Sequence, residues 1–427
     1  MNFPIRFLPK TLGKVLEYSI LPKNDFQPLR LFIRRGFYLF SSPSFPLPAL
    51  KNNVLLYIIG FIGVNLSSRQ PLFMITKIEN CDLSSRNTFG MKVKCRLFVE
   101  MTSERDLLSL DWDSLPEPIF VMGGGSNLLF TGDFPGTVVH LGSSSIETVG
   151  EDPSEGTVTV KASAGVVFDD LCAWAAERGL WGLENLSLIP GEVGASAVQN
   201  IGAYGVEAKD VILSVHVFDR KTSSFEDIGC SLCGYGYRAS NFKTVWKGRY
   251  VVTGVTFTLS SIPCPKLDYG GVRKAVAQRY GEDCTLTPSM VRDTVISIRR
   301  EKLPDPKVTG SAGSFFCNPV ISREHFHRIE KEAKSDNGED YSVPHYEVGD
   351  MVKVPAAWMI DQCGFKGKTL GGAQVYPKQP LVIVNATGEA SPSEIIALEK
   401  EVIERVKAKY GIELHPEVEH VGCVFSK

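Results

Sequence analysis

Residues 189–205 constrain the fold more than any other part of this sequence. Seven of these seventeen residues are glycine or alanine (IPGEVGASAVQNIGAYG). Side chains this small allow a flat or bulky ligand to lie directly against the backbone. The segment is not the nucleophile elbow of a hydrolase, because residues 194–198 (GASAV) lack the final glycine of that motif. We therefore predict that the segment forms one wall of a ligand site.

A second glycine-rich loop follows the apolar strand predicted over residues 119–122. It consists of Gly123, Gly124, Gly125, Ser126 and Asn127. Consecutive glycines let backbone amides approach an anion closely, and the two polar side chains add contacts. The loop lacks the third glycine and following helix of a dinucleotide fingerprint, and it lacks the Gly-Lys-Ser/Thr end of a P-loop. Alone it fits a tight turn equally well, but two such surfaces suit the pyrophosphate and ring of a dinucleotide.

Charge and composition change abruptly near Met74. The first 73 residues carry nine Lys or Arg and two acidic residues, a net charge of +7, whereas the remainder carries −9. Residues 54–64 form an apolar run of eleven residues, whereas a helix that spans a bilayer needs about 20. We expect residues 1–73 to be a basic extension that is disordered or precedes the native start at Met74. Membrane targeting by the apolar run is the alternative.

Length, net charge and cysteine usage limit the function classes. A chain of 427 residues has room for two or three domains. A net charge of −2 gives no reason to expect nucleic acid or stable membrane insertion. Ten cysteines without a disulfide-like spacing indicate a reduced, cytoplasmic protein. Cys230-x-x-Cys233 has no second pair at zinc spacing, so we expect no metal site.

Strand and helix patterns alternate from Met74 onward, which is typical of an enzyme with mixed α/β structure. Helices are predicted over 167–178, from Thr287, from Ser322, and from Ser391 to Gly411. The last has the clearest signals, because Ser391 and Glu394 form a capping box and Gly411 is a C-terminal stop. Its predicted buried stripe is Ile395, Val402, Ile403, Val406 and Tyr410. Strands are predicted over 119–122, 137–140, 157–162, 212–218, 251–259 and 381–385.

Three polar residues lie in local surroundings that suit chemistry. Arg238 follows two tyrosines in a turn, Ser314 leads from a flexible stretch into Phe315 and Phe316, and Glu417 follows a proline near the chain end. Each also has a simpler structural interpretation: an ion pair for Arg238, a cap or turn for Ser314, and a solvated charge for Glu417. Spacing alone does not bring these residues together.

Taken in order, the motifs resemble the UDP-N-acetylenolpyruvoylglucosamine reductase (MurB) family from residue 75 to 422. The matching stretches are 87–90 (NTFG), 123–130 (GGGSNLLF), 182–205, 236–243 (GYRASNFK), 302–307 (KLPDPK), 312–319 (AGSFFCNP), 356–367 (AAWMIDQCGFKG) and 416–422 (PEVEHVG). Each stretch is modestly specific, whereas the ordered set is highly specific.

The resemblance implies an α+β or α/β multidomain protein. Its parts would be an FAD-binding domain of the vanillyl-alcohol-oxidase (PCMH-like) type with two subdomains and a C-terminal MurB substrate-binding domain. The implied boundaries are 74–145 and 146–262 for the subdomains, 263–305 for a tyrosine-loop insert with its connecting helix, and 306–427 for the substrate-binding domain. The implied FAD contacts are Gly123, Gly124, Gly125, Ser126, Asn127, Ser196, Val198, Gly202, Tyr204 and Arg299.

The resemblance also implies the reaction and its residues. NADPH would reduce FAD, and the reduced flavin would convert UDP-N-acetylglucosamine enolpyruvate to UDP-N-acetylmuramate. Ser314 would give a proton to C2, while Arg238 and Glu417 would stabilise the enolic intermediate. Tyr269 would close over the substrate, and Lys302 and Asn318 would hold the UDP-sugar. Cys317 stands where family members often have lysine, which leaves the set of substrate contacts less defined.

Two other functions are compatible with a flavin fold. An alcohol or sugar oxidase would consume oxygen without NADPH, but the sequence shows no obvious histidine or cysteine site for tethering a flavin near the glycine-rich loops. A non-catalytic flavin or UDP-sugar sensor would be expected to lack Ser314, Arg238 or Glu417, and all three are present. We expect the protein to act as a monomer on a small molecule.

Overall fold

The computed structural model describes residues 75–422. The predicted extension over residues 1–73 lies outside these residues. In the part of the chain that is described, no helix is both long and apolar enough to cross a membrane.

Strands of the described residues form six sheets. Their bounds are β1 Ile75–Asp82, β2 Lys94–Met101, β3 Ile119–Val121, β4 Leu128–Phe130, β5 Phe134–Leu141, β6 Ile146–Asp152, β7 Thr157–Ser163, β8 Gly202–Ala203, β9 Val206–Glu207, β10 Ile212–Asp219, β11 Ser224–Gly229, β12 Tyr250–Ser260, β13 Gly310–Ser311, β14 Val320–Ser322, β15 Tyr346–Val348, β16 Met351–Lys353, β17 Thr369–Leu370, β18 Ala373–Val375, β19 Ile383–Asn385 and β20 Glu419–Val421.

The helices connect and cover these sheets. The α-helices are α1 Asp106–Ser109, α2 Phe168–Glu177, α3 Val193–Gln199, α4 Val272–Tyr280, α5 Pro288–Lys302, α6 Arg323–Asn337, α7 Ala356–Gln362 and α8 Pro392–Tyr410. Short 3-10 turns lie at Ser84–Arg86, Trp112–Ser114, Glu184–Leu186, Ala208–Asp210, Cys230–Leu232 and Asn241–Lys243.

The first sheet has the strand order β1-β2-β5-β3. Strand β5 runs parallel to both β2 and β3, so the carboxyl ends of these three strands meet at one edge of the sheet. The glycine-rich loop 123–127 leaves this edge after β3. Parallel pairing therefore places the loop where open α/β sheets commonly bind ligands.

The second sheet is antiparallel, with the order β11-β10-β12-β7-β6. Its buried face packs against α2 and α3 through Leu171, Cys172, Val193 and Ala197. The short helix α3 comes from the Gly/Ala-rich segment predicted to form a ligand wall. Its small residues thus serve two purposes, since they also let the helix approach the sheet closely.

The C-terminal part adds two small antiparallel sheets, β13-β19-β18-β17 and β14-β16-β15. One continuous hydrophobic cluster joins this part to the first sheet, with Phe98 from β2, Phe130 from β4, Phe315, and Val402 from α8 among its members. The last strand, β20, leaves the predicted 306–427 unit and pairs in parallel with β4. Strand β20 therefore returns to β4, the strand that directly follows the glycine-rich loop 123–127.

Capping chemistry determines the helix starts, as the sequence predicted. The side chain of Thr287 accepts a hydrogen bond from the Met290 amide, and Ser391 and Glu394 form the reciprocal capping box of α8. The buried stripe of α8 differs from the prediction at Leu398, Glu399 and Ile403, of which Leu398 is buried in the hydrophobic core. The buried Glu399 is satisfied by a hydrogen bond with His420 on β20, with 2.8 Å between Glu399 Oε2 and His420 Nε2. Ile403 is only partly buried.

We predict that Asp169→Asn lowers the free energy of unfolding by roughly 1–2 kcal/mol. Asp169 contacts both terminal nitrogens of Arg292 and accepts a hydrogen bond from the Leu188 amide at 2.6 Å. Burial alone would raise the pKa of Asp169, but Arg292 and the Leu188 amide lower it. The contribution is therefore present above about pH 4 and is lost as the pH falls through the native-state pKa.

Urea denaturation of apoprotein between pH 3 and pH 7 tests this prediction, with Asp268→Asn as the matched control. Asp268 pairs with Arg273, and their side chains are 87% and 65% exposed, so its loss should change stability little. Equal effects of the two substitutions, or an unchanged acid limb in Asp169→Asn, would contradict the role given to the Asp169–Arg292 pair.

We also predict that a chain starting at Met74 folds and binds FAD, the cofactor that the resemblance implies. Strand β1 begins at Ile75, and Ile75 already pairs with Met101, so the shortened chain keeps the first sheet intact. Thermal denaturation and the absorbance of copurified flavin measure the outcome. If the full-length protein is active and the shortened chain is insoluble or free of flavin, residues 1–73 belong to the folded enzyme.

Candidate functional site

The return of the chain end fixes Glu417 beside the glycine-rich loop. The Glu419 amide donates to the carbonyl oxygen of Asn127 at 3.0 Å, and the Asn127 side chain donates to the carbonyl oxygen of Glu417 at 3.0 Å. Asn127 therefore uses both its backbone and its side chain to hold the segment that carries Glu417.

Ser314 lies on the neighbouring extended segment. The Glu417 amide donates to the Phe315 carbonyl oxygen at 2.8 Å, and the Cys317 amide donates to the His415 carbonyl oxygen at 2.9 Å. These two hydrogen bonds form a short antiparallel bridge, and Ser314 comes directly before it. Two of the residues predicted to act together, 103 positions apart in the sequence, are thus on paired backbone segments.

Arg238 completes this group from the second sheet's side of the molecule. Its Nε atom lies 2.6 Å from Oε1 of Glu417, and its Nη2 atom donates to the Gly202 carbonyl oxygen at 2.7 Å. The Nε–H bond is poorly aligned with Oε1, so the contact is chiefly an ion pair. Arg238 has a left-handed backbone with φ +54°, a conformation that costs free energy and is most often kept at functional sites.

The Arg238–Glu417 pair is largely shielded from water, with side chains 17% and 15% exposed. Burial raises the pKa of the Glu417 carboxyl above its ordinary value, although the charge of Arg238 opposes this shift. Burial alone would lower the pKa of Arg238, but Glu417 and Tyr237 outweigh it and raise the pKa. The site therefore combines a fixed cation with a carboxyl group that gains a proton more readily than one in water.

The two glycine-rich segments contact each other. The Ser126 hydroxyl donates to the Pro190 carbonyl oxygen at 3.0 Å. A Cβ atom on Gly191 would lie 2.6 Å from Ser126 Oγ, and one on Gly125 would lie 2.1 Å from the Arg86 carbonyl oxygen. Glycine is required at both positions, since both also have positive φ values. The structure thus joins the two predicted ligand walls into one surface.

A buried cation beside these segments suits an anionic cofactor. The Nε atom of Arg299 is buried without a hydrogen-bond partner among residues 75–422. Burial lowers the pKa of Arg299, and its contact with Tyr204 opposes that shift. A buried guanidinium with spare donors is costly unless an anion binds it. Arg299 and the backbone amides of the glycine-rich loop fit the negatively charged pyrophosphate of FAD.

The other predicted cofactor residues line the same region in different ways. Ser196 is buried, and its hydroxyl donates to the Val193 carbonyl oxygen at 2.6 Å within α3. The Val198 carbonyl oxygen accepts from Ser240 at 2.6 Å. Tyr204 has φ +48°, and its carbonyl oxygen accepts from Asn185 at 2.8 Å. These hydrogen bonds fix the backbone of the wall, so any contact with FAD would come from its surface rather than from the Ser196 hydroxyl.

The predicted substrate residues are less closely grouped. Tyr269 stacks on Tyr346, with ring centroids 5.1 Å apart. The Asn318 side chain accepts from the Ala356 amide at 2.9 Å, which ties it to the start of α7. Lys302 is exposed at the end of α5 and makes no ion pair with the described residues. The structure thus brings Arg238 and Glu417 into contact and sets Ser314 next to them in the chain pairing, but it leaves Lys302 outside that group.

Sequence reasoning missed several residues near Arg238. Lys353 places its ammonium group 5.0 Å from the Tyr237 ring centre and 5.7 Å from that of Tyr346. Lys243 donates to Gln199 Oε1 at 2.7 Å and to the Arg238 carbonyl oxygen at 3.2 Å. Lys243 belongs to the recognised GYRASNFK stretch and could have been found there, whereas no local signal links Tyr346 to Tyr269.

Comparison with known proteins gives two family-level matches along the described chain. Residues 111–226 match the family model "FAD binding domain", which includes both glycine-rich segments. Residues 305–421 match the model "UDP-N-acetylenolpyruvoylglucosamine reductase, C-terminal domain", which includes Ser314 and Glu417. The chain therefore carries an FAD-binding domain followed by the C-terminal domain of that reductase, and the predicted fold class is confirmed.

Whole-length relatives agree with these matches. A UDP-N-acetylenolpyruvoylglucosamine reductase from Bacteroides fragilis is 45% identical over 354 residues, covering 80% of this chain and 99% of the relative. One from Neisseria gonorrhoeae is 42% identical over 351 residues, covering 81% and 97%. The crystal structure of the reductase from Thermus caldophilus has a TM-score of 0.53 and 23% identity, covering 82% of this chain and 99% of that one, and so supports the fold. The chain belongs to the UDP-N-acetylenolpyruvoylglucosamine reductase (MurB) family of flavin-dependent oxidoreductases.

Proposed function

We propose that this chain reduces UDP-N-acetylglucosamine enolpyruvate to UDP-N-acetylmuramate in peptidoglycan precursor synthesis. The observation that carries the proposal is the buried ion pair between Arg238 and Glu417, whose charged atoms are 2.6 Å apart. The backbone of Glu417 also pairs with Phe315, the residue after Ser314. A cation and a carboxyl group in contact, with a hydroxyl-bearing residue on the adjoining backbone segment, meet the needs of an enolate-forming reduction.

The two glycine-rich segments and Arg299 would hold FAD. Backbone amides of residues 123–127 suit the pyrophosphate, and the small residues of 189–205 leave room for a flat ring. FAD held there would supply the hydride, received from NADPH, for C3 of the enolpyruvyl group. The chain's own residues must then deal with the negative charge that develops at C2 and on the substrate carboxylate.

Ser314 is the proposed proton donor to C2. A serine hydroxyl is a weak acid in water, but a carbanion-like carbon is a strong base, so a positioned hydroxyl can complete the transfer. Two backbone hydrogen bonds of Phe315 fix the position of the preceding residue, Ser314. The Phe315 amide donates to the Leu381 carbonyl oxygen at 2.8 Å, and the Phe315 carbonyl oxygen accepts from the Glu417 amide. Such positioning supplies part of the rate by itself.

Arg238 and Glu417 are the proposed stabilisers of the enolic charge. The planar guanidinium of Arg238 suits a carboxylate that gains negative charge. An ionised Glu417 without a partner would repel that charge. The Arg238 contact and the raised pKa of Glu417 both reduce this repulsion. We expect Glu417 to be protonated or neutralised by a cation when substrate is bound.

Tyr269, Lys302 and Asn318 are the proposed contacts of the UDP-sugar. Tyr269 stacks on Tyr346 at the margin of the Arg238 group, as a residue that closes over a substrate would. Lys302 is exposed and free to meet a phosphate. Cys317 stands between Phe316 and Asn318 and adds no cation there, so we propose that phosphate binding depends more strongly on Lys302.

We predict that Ser314→Ala separates the two half-reactions. Flavin reduction by NADPH should stay near the wild-type rate, whereas reoxidation by the enolpyruvyl substrate should slow by roughly 10²–10⁴-fold, the usual value of a positioned proton donor. Anaerobic stopped-flow absorbance measures both steps, and Ser224→Ala, which removes an exposed hydroxyl from β11, is the control. Equal loss in both half-reactions would assign Ser314 to folding or flavin placement instead.

We predict that Arg238→Lys retains FAD but slows substrate-dependent reoxidation by about 10²-fold or more. Lysine keeps the positive charge but loses the planar fork that can serve Glu417, the Gly202 carbonyl oxygen and a substrate carboxylate together. Single-turnover reoxidation with Arg273→Lys as the exposed control measures the effect. Wild-type reoxidation in Arg238→Lys would show that charge alone is sufficient and would remove the fork from the mechanism.

A further inference from the structure

A chain of four ionisable side chains lies next to the glycine-rich loop and has no assigned role in the proposed reaction. Arg86 Nη1 is 3.2 Å from Glu100 Oε2, and His140 Nδ1 is 2.7 Å from Glu100 Oε1. His140 Nε2 lies 3.1 Å and 3.2 Å from the two carboxylate oxygens of Glu192. We name Arg86, Glu100, His140 and Glu192 the His140 network. The side chains of His140 and Glu192 are only 16% and 13% exposed.

Strand topology places the network at the ligand edge of the first sheet. Glu100 and His140 are direct register partners near the carboxyl ends of the parallel strands β2 and β5. Glu192 comes from the Gly/Ala-rich segment, one residue before α3. Its carboxylate oxygens lie 3.2 Å and 3.5 Å from the positions where Gly123 and Gly124 would carry a Cβ atom. The network thus ends next to the glycine-rich loop, in the space that side chains at 123 and 124 would enter.

The charge of this network depends on one proton. Arg86 is positive and the two glutamates are negative, so the four residues are neutral when His140 is an imidazolium and carry −1 when it is not. An uncompensated carboxylate a few ångströms from a pyrophosphate would repel it strongly, because a partly buried site screens charge poorly. A glutamate behind an anion-binding loop is therefore unfavourable unless a cation accompanies it.

We propose that His140 is a positioning residue for FAD: as an imidazolium it neutralises Glu192 and holds it against Gly123 and Gly124, so that the loop can accept the pyrophosphate. This inference rests on the proposed placement of FAD against residues 123–127. Protonation of His140 would thereby be coupled to the binding of FAD. His140 itself would contact neither FAD nor substrate and would act through Glu192.

The groups that face His140 favour its protonated form. They are Glu100 from β2 and Glu192 from the segment before α3, with Arg86 from the first 3-10 turn behind Glu100. Burial alone would lower the pKa of His140, but hydrogen bonds and charges from the two glutamates outweigh it and raise the pKa. The stabilisation is therefore present below about pH 6.5 and is lost as the pH rises through the raised pKa of the folded protein.

The rate at which diluted holoenzyme releases FAD tests the proposal. It is measured between pH 6 and pH 9.5 through the recovery of free-flavin fluorescence. We expect release from the wild type to accelerate about tenfold across the upper part of this range, the ratio that one unit of pKa difference produces. His140→Gln should release FAD about tenfold faster at low pH and lose this pH dependence. The double variant His140→Gln/Glu192→Gln should recover slow release without pH dependence, because its network is neutral again.

The control is His216→Gln. His216 lies on strand β10 and also contacts two carboxylates, those of Asp227 at 3.0 Å and Glu104 at 3.5 Å. This substitution should leave the release profile unchanged. Unaltered release and pH dependence in His140→Gln would overturn the proposal. Equally fast release in the double variant would overturn it too, because the effect would then come from lost packing rather than from charge.

A separate readout distinguishes failure of this inference from failure of the proposed FAD placement. The backbone amide resonances of Gly124 and Gly125 should shift when FAD is added to apoprotein. If they do not shift, the placement is wrong and the inference fails with it. If they shift while His140→Gln behaves as the wild type, the placement stands and only the charge compensation by His140 is refuted.

Discussion

The positions of Glu417 and Ser314 relative to the glycine-rich loop depend on the parallel pairing of β20 with β4. Backbone hydrogen bonds carry the chain end back to Asn127, and the same extended segment pairs with Phe315. These backbone contacts, together with the Asn127 side chain, set Glu417 between the glycine-rich loop and Ser314. Backbone ladders of this kind resist displacement because each buried amide would otherwise lose its partner. The glycine-rich loop and Ser314 thus share one backbone framework.

Local charge, rather than net charge, equips this acidic chain for anionic ligands. Arg238 is balanced by Glu417, whereas the buried Nε atom of Arg299 has no hydrogen-bond partner among residues 75–422, which suits the proposed anionic cofactor. The His140 network supplies a third arrangement, in which one proton decides whether the wall behind the glycine-rich loop is neutral. Each arrangement places the charge in a poorly hydrated position, where its effect on a ligand is greatest.

Local sequence signals predicted much of the fold. The capping residues Thr287 and Ser391 marked helix starts because their side chains satisfy amides only a few positions away. Both glycine-rich segments were also found, and their order with the other motifs identified the family. The burial of Glu399 could not be predicted, because its partner His420 lies on a strand placed by long-range pairing.

The same limit applies within the site. Arg238, Ser314 and Glu417 stood out by their local surroundings, but only the family resemblance joined them, since no spacing rule does. The left-handed backbone of Arg238 has no glycine to signal it. The His140 network escaped sequence reasoning entirely. Its members come from positions 86, 100, 140 and 192. Glu100 and His140 meet because the parallel strands β2 and β5 align them, and the tertiary fold brings Arg86 and Glu192 to the same place. Residue type and periodicity report such contacts only after the sheet order is known.

In the proposed reaction, electrons pass from NADPH through bound FAD to an enolpyruvyl sugar nucleotide. Anaerobic addition of NADPH to the purified flavoprotein, followed by UDP-N-acetylglucosamine enolpyruvate, tests it most directly through the absorbance of the oxidised flavin. The absorbance should fall with NADPH and return in full with one equivalent of substrate. Flavin that NADPH does not reduce, or that only oxygen reoxidises, would contradict the claim.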